Sequence, residues 1–192
     1  MAQLSAETPR STFTAATIPT LSIKWKRPAR SSGPSANPRA TAKTNNPTKG
    51  MLRGITSDYD LVFHPDVYTA MIDHCLREKP LEACGLLSGK DQTAFTCWPM
   101  TNILHSHNAF EMDTGEIEDV FRKIREKEEQ LVGIYHSHPT AHPNPSLEDI
   151  AHANYPEAAY VIVSLSDRSP NVRCFQILKP RVFPLLHGIS RY

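Results

Sequence analysis

A layered α/β domain behind a basic, unstructured leader is what the 192-residue sequence predicts. Three observations carry this. Two segments repeat apolar residues at helical spacing, and around them lie short apolar runs rich in β-branched and aromatic residues. Helices interleaved with strands pack as layers around a core. The third observation is charge. Residues 1–50 hold eight Lys or Arg and one acid, net +7, whereas residues 51–192 hold thirteen basic and nineteen acidic residues, net −6. The overall +1 therefore joins two unlike segments.

The leader, residues 1–50, is rich in Ser, Thr, Pro and Ala and has no sustained apolar periodicity, so it is expected to be disordered and to add little to a core. Its positive charges are dispersed and lack aromatic interleaving, which argues against a nucleic-acid arm. Three origins stay open: a misplaced start with Met51 as the true first residue, a genuine extension, or an organelle transit peptide.

The folded domain is expected over residues 58–185. A strand at Leu61–Phe63 leads into a helix over Pro65–Lys79, with Val67, Met71 and Cys75 on one face. Strands follow at Ala83–Ser88, Thr93–Trp98 and Asn102–Phe110. A second helix, Thr114–Gln130, turns Ile117, Val120, Phe121 and Ile124 inward beneath a charged outer face. Further strands are expected at Leu131–His138, Tyr160–Ser164 and Val172–Leu178, and there is no internal repeat. No run of about 18 apolar residues and no secretory h-region is present, so neither membrane association nor general export is expected. The four cysteines show no CxxC spacing and no disulfide-scaffold density, which suits a reducing cytoplasm.

The chemistry concentrates in His136-Ser137-His138-Pro139, with Ser146 and Asp149 beyond it. On a strand His136 and His138 point the same way and Ser137 the other. Residues 139–145 contain three prolines and should form a loop that turns the chain back. A helix can begin at Ser146, which puts Asp149 in its first turn, aimed where the histidines converge. Two imidazoles and a carboxylate match the three-ligand set of a catalytic zinc with a fourth position for water. Taken alone, Ser146-x-x-Asp149 is equally a capping box. A second His-Ser-His, His105 to His107, carries Glu118 at the offset of Asp149, but no proline follows and Gly115 stands where a serine should. His105 and His107 are therefore read as strand or loop residues and not as ligands.

The combined pattern resembles the JAMM, or MPN-plus, metalloprotease family: an upstream Glu, His-x-His-Pro, then Ser and Asp at these offsets. The resemblance runs from about Asp60 to about Leu178. It implies zinc (Zn2+) on His136, His138 and Asp149, an oxyanion-stabilising hydroxyl on Ser146, and a general base at Glu82. It also implies a cytidine-deaminase-like mixed β-sheet flanked by helices, with the metal at the end of a central strand. The residues themselves argue less strongly for Glu82. It is a carboxylate at the lip of the apolar run Ala83–Leu87, a solvated helix-end Glu being the plain alternative, and metal-activated water needs a base that is not itself a ligand. Cys84 is read as core packing and not as a zinc thiolate.

The expected activity is zinc-dependent hydrolysis of a peptide or isopeptide bond after the C-terminal tail of a ubiquitin-like or sulfur-carrier protein. The short spacer between motif segments leaves no room for large insertions, and by the family resemblance this favours a small carrier. Two alternatives belong to other classes: a non-catalytic scaffold that binds protein partners, and a zinc hydrolase of small amides. A deaminase in the latter class expects a Pro-Cys-x-x-Cys pairing, which this chain lacks.

Overall fold

The computed structural model describes residues 59–191 and the backbone of Lys24–Lys26. The remainder of the expected leader, with its predicted disorder, lies outside the described residues. In chain order the elements are β1 (Lys24–Lys26), β2 (Leu61–Phe63), α1 (Pro65–Glu78), β3 (Cys84–Lys90), β4 (Thr93–Met100), β5 (Ala109–Glu111) and α2 (Thr114–Glu126). They continue with β6 (Gln130–His138), α3 (Leu147–His152), β7 (Ala159–Ser164), β8 (Asn171–Leu178), β9 (Arg181–Leu185) and β10 (His187–Ile189).

Local chemistry sets the helix starts. Pro65 opens α1, where its missing N–H would have had no helical partner. Asp113 caps α2 by accepting the Glu116 N–H at 3.0 Å. The second helix stops at Glu126, short of the expected Gln130, because Glu128 turns into the left-handed region at φ 53° and redirects the chain into β6. That turn also carries Glu129 inward, where its carboxylate accepts the Ser88 and Thr96 hydroxyls at 2.6 and 3.0 Å.

Eight strands form one mixed sheet in the order β10-β2-β4-β3-β6-β7-β8-β9. At its centre β6 runs antiparallel to β3 and parallel to β7. Helices cover both faces. Leu86, Ile134, Tyr160 and Ile162 pack with Ile117, Val120 and Ile124 of α2, while Leu87, Tyr135, Val161 and Val163 pack with Val67, Met71 and Cys75 of α1. This two-sided burial explains why β7 reads as an unbroken apolar run without alternation. Gly85 is needed for close approach, since a Cβ there would enter the Tyr135 ring and the Trp98 carbonyl. Among the described residues no helix is long and apolar enough to cross a membrane.

Three expectations differ from what is observed. The strand expected over Asn102–Phe110 reduces to β5, because Asn102 folds the intervening residues into a tight polar loop described below. The sheet also continues past residue 185, with β10 pairing in parallel with β2. Finally, Lys24–Lys26, inside the leader expected to lack structure, forms a strand on β5.

The cysteines are core residues. Cys75, Cys84 and Cys174 are buried, and burial pushes Cys75 and Cys174 up to about 12, Cys97 up to about 11, and Cys84 well above its ordinary value. Since the thiolate is the reactive form, we expect an aromatic disulfide reagent at pH 8 to react slowly with the folded chain. After guanidinium unfolding it should titrate all four thiols. Rapid reaction of three thiols in the folded protein would contradict this packing.

Candidate functional site

The alternation of β6 does the first part of the assembly. His136 and His138 face the α2 and α3 side with ring centroids 4.9 Å apart and their Nε2 atoms 3.0 Å apart. Ser137 faces away: its Oγ accepts the Ala83 N–H and its N–H donates to the Ala83 carbonyl, both at 2.9 Å. These bonds lock the end of β6 to the start of β3.

The proline-rich loop then returns the chain. The His138 carbonyl accepts the Leu165 N–H at 2.9 Å, and His138 Nδ1 lies 2.8 Å from the His142 carbonyl. Ser164 Oγ donates to the Ala141 carbonyl at 2.6 Å, and Arg173 donates to Asn144 Oδ1 at 2.6 Å, which pins the loop across the sheet end. α3 starts from a complete capping box. Ser146 Oγ accepts the Asp149 N–H at 3.1 Å, and the Ser146 N–H donates to Asp149 Oδ2 at 2.6 Å. The capping-box reading of Ser146 therefore describes real bonds, and the same box aims the carboxylate. Asp149 Oδ1 lies 3.6 Å from His136 Nε2, and Oδ2 lies 3.7 Å from His138 Nε2.

These three buried side chains are the group among the described residues whose donor atoms converge closely enough to hold a metal ion, all within 4.8 Å. Their chemistry fits one. A carbonyl beside His138 Nδ1 requires a proton there, which leaves the lone pair on Nε2, pointing inward. Ligands about 2.0 to 2.1 Å from a tetrahedral ion stand about 3.3 to 3.4 Å apart, close to the separations found. Burial acts to raise the Asp149 carboxyl, yet the His136 and His138 imidazoles and the Ser146 N–H hold it well below the ordinary carboxylate range. It stays ionised in a buried site, as a ligand must.

Glu82 sits just ahead of β3 and is buried. It lies two residues before Cys84, which pairs with His136 on β6. Its backbone is clamped: the N–H donates to the Ser106 carbonyl at 2.8 Å and its carbonyl accepts from Asn102 Nδ2 at 2.9 Å. Cys84 itself is packed in the core, with its Sγ 3.8 Å from the Met100 carbonyl.

Two residues of the site were not picked out by sequence reasoning. Asn102 Nδ2 also donates to the Ala109 carbonyl at 3.0 Å, while its Oδ1 accepts from Leu104 and Glu111 at 3.1 and 3.3 Å. Phe110 stacks on the His136 ring with centroids 4.9 Å apart. An Asn opening a polar stretch is a turn signal that could have revealed the first; nothing local marks the second. His105 and His107 are exposed on this loop, His105 at φ 44°, and Glu118 is exposed on α2, so the second His-Ser-His does not gather into a donor group.

Residues 64–178 match the family described as prokaryotic homologs of the JAB domain, over more than half of the chain. The chain belongs to this family. It is 39% identical over 111 residues to the CysO-cysteine peptidase of Mycobacterium tuberculosis, an alignment covering 57% of this chain and 76% of that one. It is 33% identical over 94 residues to the desampylase of Haloferax volcanii, covering 47% and 68% of the two chains. The solution structure of a protein from Desulfitobacterium hafniense superposes with a TM-score of 0.64 at 28% identity, covering 69% of this chain and 94% of that one. The family matches the JAMM/MPN resemblance read from the motif.

Asn102 yields a direct test of the scaffold. Asn102→Ala strands buried backbone groups of Glu82, Ala109 and the loop, and should lower stability by about 3 kcal/mol. Urea unfolding measures it. A loss of under about 0.5 kcal/mol, the size of an ordinary surface substitution, would mean the loop holds Glu82 without this side chain.

Proposed function

We propose that this JAB-family protein is a zinc-dependent hydrolase of a peptide or isopeptide bond. Its substrate would be the C-terminal tail of a ubiquitin-like or sulfur-carrier protein. The observation that carries the reading is the converging, buried His136, His138 and Asp149 triad, and Glu82, also buried, stands just ahead of the strand that pairs with β6. The names of the relatives, a CysO-cysteine peptidase and desampylases, support a protein tail as substrate.

His136 Nε2, His138 Nε2 and Asp149 would hold the ion. When bound, zinc supplies Lewis-acid polarisation of the scissile carbonyl and makes a water acidic near pH 7. Glu82 takes a proton from the attacking water and returns it to the departing amine. Its backbone clamps hold the carboxylate in position. Ser146 Oγ uses a lone pair for the Asp149 N–H, so its own O–H remains able to donate to the carbonyl oxygen as charge builds there. The exposed side chain of Leu147, next to Ser146, offers an apolar contact for a docked protein.

A non-catalytic scaffold is the rival reading, and Glu82 argues against it: a buried carboxylate that is not in the donor group has no evident use in partner binding. Incubating the zinc-loaded chain with fusions of several small carrier proteins and weighing the products tests the activity. Absence of cleavage across the panel, with zinc bound, would favour the scaffold.

Metal analysis after dialysis should find zinc lost from His136→Ala, His138→Ala and Asp149→Ala but kept by His105→Ala and His107→Ala. Retention in any of the first three would displace that residue from the ligand set.

Glu82→Gln is nearly isosteric but cannot accept a proton at neutral pH. It should keep zinc and fold while losing about 10²- to 10⁴-fold in single-turnover cleavage. Ser146→Ala should keep zinc, lose about 1 kcal/mol from the missing cap, and slow turnover by roughly 10²- to 10³-fold. A purely structural Ser146 would show only the stability loss.

A further inference from the structure

β5 carries a docked strand beside the candidate site. It pairs antiparallel with β1, in the register Lys24 to Glu111, Trp25 to Phe110 and Lys26 to Ala109, as a two-stranded sheet apart from the main one. Backbone bonds fix which edge is used. The Glu111 carbonyl accepts the Ile103 N–H at 2.9 Å and the Glu111 N–H donates to Asn102 Oδ1 at 3.3 Å, so Glu111 turns both groups toward that loop. Phe110, one residue back, turns its own pair the opposite way, to Trp25.

Phe110 is also the residue whose ring stacks on His136. On its other flank the β1 backbone approaches α3, with Cα atoms within 8 Å, and α3 carries Asp149 in its first turn. The strand thus lies between Phe110, which stacks on His136, and α3, which carries Asp149. An extended protein tail whose scissile bond reaches the metal-ligand cluster would lie alongside it, and the β5 edge, here paired with β1, is a ladder of the kind that takes such a peptide.

The sequence of the docked segment suits the role. Leu21-Ser22-Ile23-Lys24-Trp25-Lys26 alternates apolar and polar residues, the sequence pattern of a half-buried strand, and Pro28 has no N–H to give a ladder. The segment lies in a leader of net +7 tethered to a domain of net −6, so docking is favoured by charge and by the high local concentration of a tethered strand.

Building on the hydrolase reading above, we propose that Lys24–Lys26 is an intramolecular competitor of the substrate tail: it occupies the β5 edge in the resting protein and must leave for a tail to be cleaved. A paired stretch of three residues is short for a strand, so its docking is reversible. No bond of the chain is made or broken.

The test uses the full chain and full-length Trp25→Pro, which deletes the N–H facing Phe110 without touching the site. Amide hydrogen exchange over residues 109–112 should be several-fold faster in the variant. A fluorescent peptide of residues 21–30 should bind the variant well and the wild type poorly. With a carrier-protein fusion as substrate, the variant should show a several-fold lower KM at unchanged kcat, and the unlabelled peptide should restore the higher KM. Equal exchange in the two proteins would overturn docking. Faster exchange with an unchanged KM would overturn competition. If the peptide binds only the variant but neither protein cleaves any fusion, docking stands while the hydrolase reading falls, and competition for a tail falls with it.

Discussion

The register of β6 between β3 and β7 is the constraint on which the site depends. Because side chains alternate along a strand, sliding β6 by one residue would turn both imidazoles into the α1 layer and bring Ser137 to the face that Asp149 approaches. The packing forbids that slip. Tyr135, fully buried, lies across Gly85 and meets His74 Nδ1 at 2.8 Å through its hydroxyl, while Ile134 on the other face is held among the α2 side chains. The backbone exchange between Ser137 and Ala83 closes the last step of the ladder. Core packing well below the site thus decides which side chains reach it.

The remaining parts come from turns, and each turn does two jobs. The capping box at Ser146 starts α3 and aims the Asp149 carboxylate; the Asn102 loop ends β4, clamps the Glu82 backbone and sets up β5, from which Phe110 covers His136. Burying an anion beside two imidazoles would be costly without donors and positive charge to compensate. The arrangement supplies the donors from the backbone and leaves the charge to be completed.

Much of this was legible because it is periodic or punctuated. His136 and His138 sit two apart on an apolar strand, a run of prolines ends that strand, and Ser146-x-x-Asp149 marks the next helix start; each is a local signal that the fold obeys. The stretch after β4 reads as a strand over Asn102–Phe110, but a single buried Asn overrides this by bonding five backbone groups at once. Phe110 could not be recognised, since its partner His136 lies 26 residues away and only the fold brings them together. The strand at Lys24–Lys26 was hidden by averaging: the composition of the whole leader is that of a disordered segment, and the short alternation from Leu21 to Lys26 disappears within it.

The Ser146–Asp149 bond has a consequence for metal choice. Asp149 Oδ2 accepts the Ser146 N–H at 2.6 Å and lies 3.7 Å from His138 Nε2, while Oδ1 lies 3.6 Å from His136 Nε2, so the cap fixes the carboxylate with one oxygen toward each imidazole. Two imidazoles and one carboxylate form a donor group of the kind that would suit a nitrogen-preferring ion. Calcium and magnesium prefer oxygen donors, and the two imidazoles offer them none. The geometry of a nitrogen-rich donor group is thereby set by a helix cap.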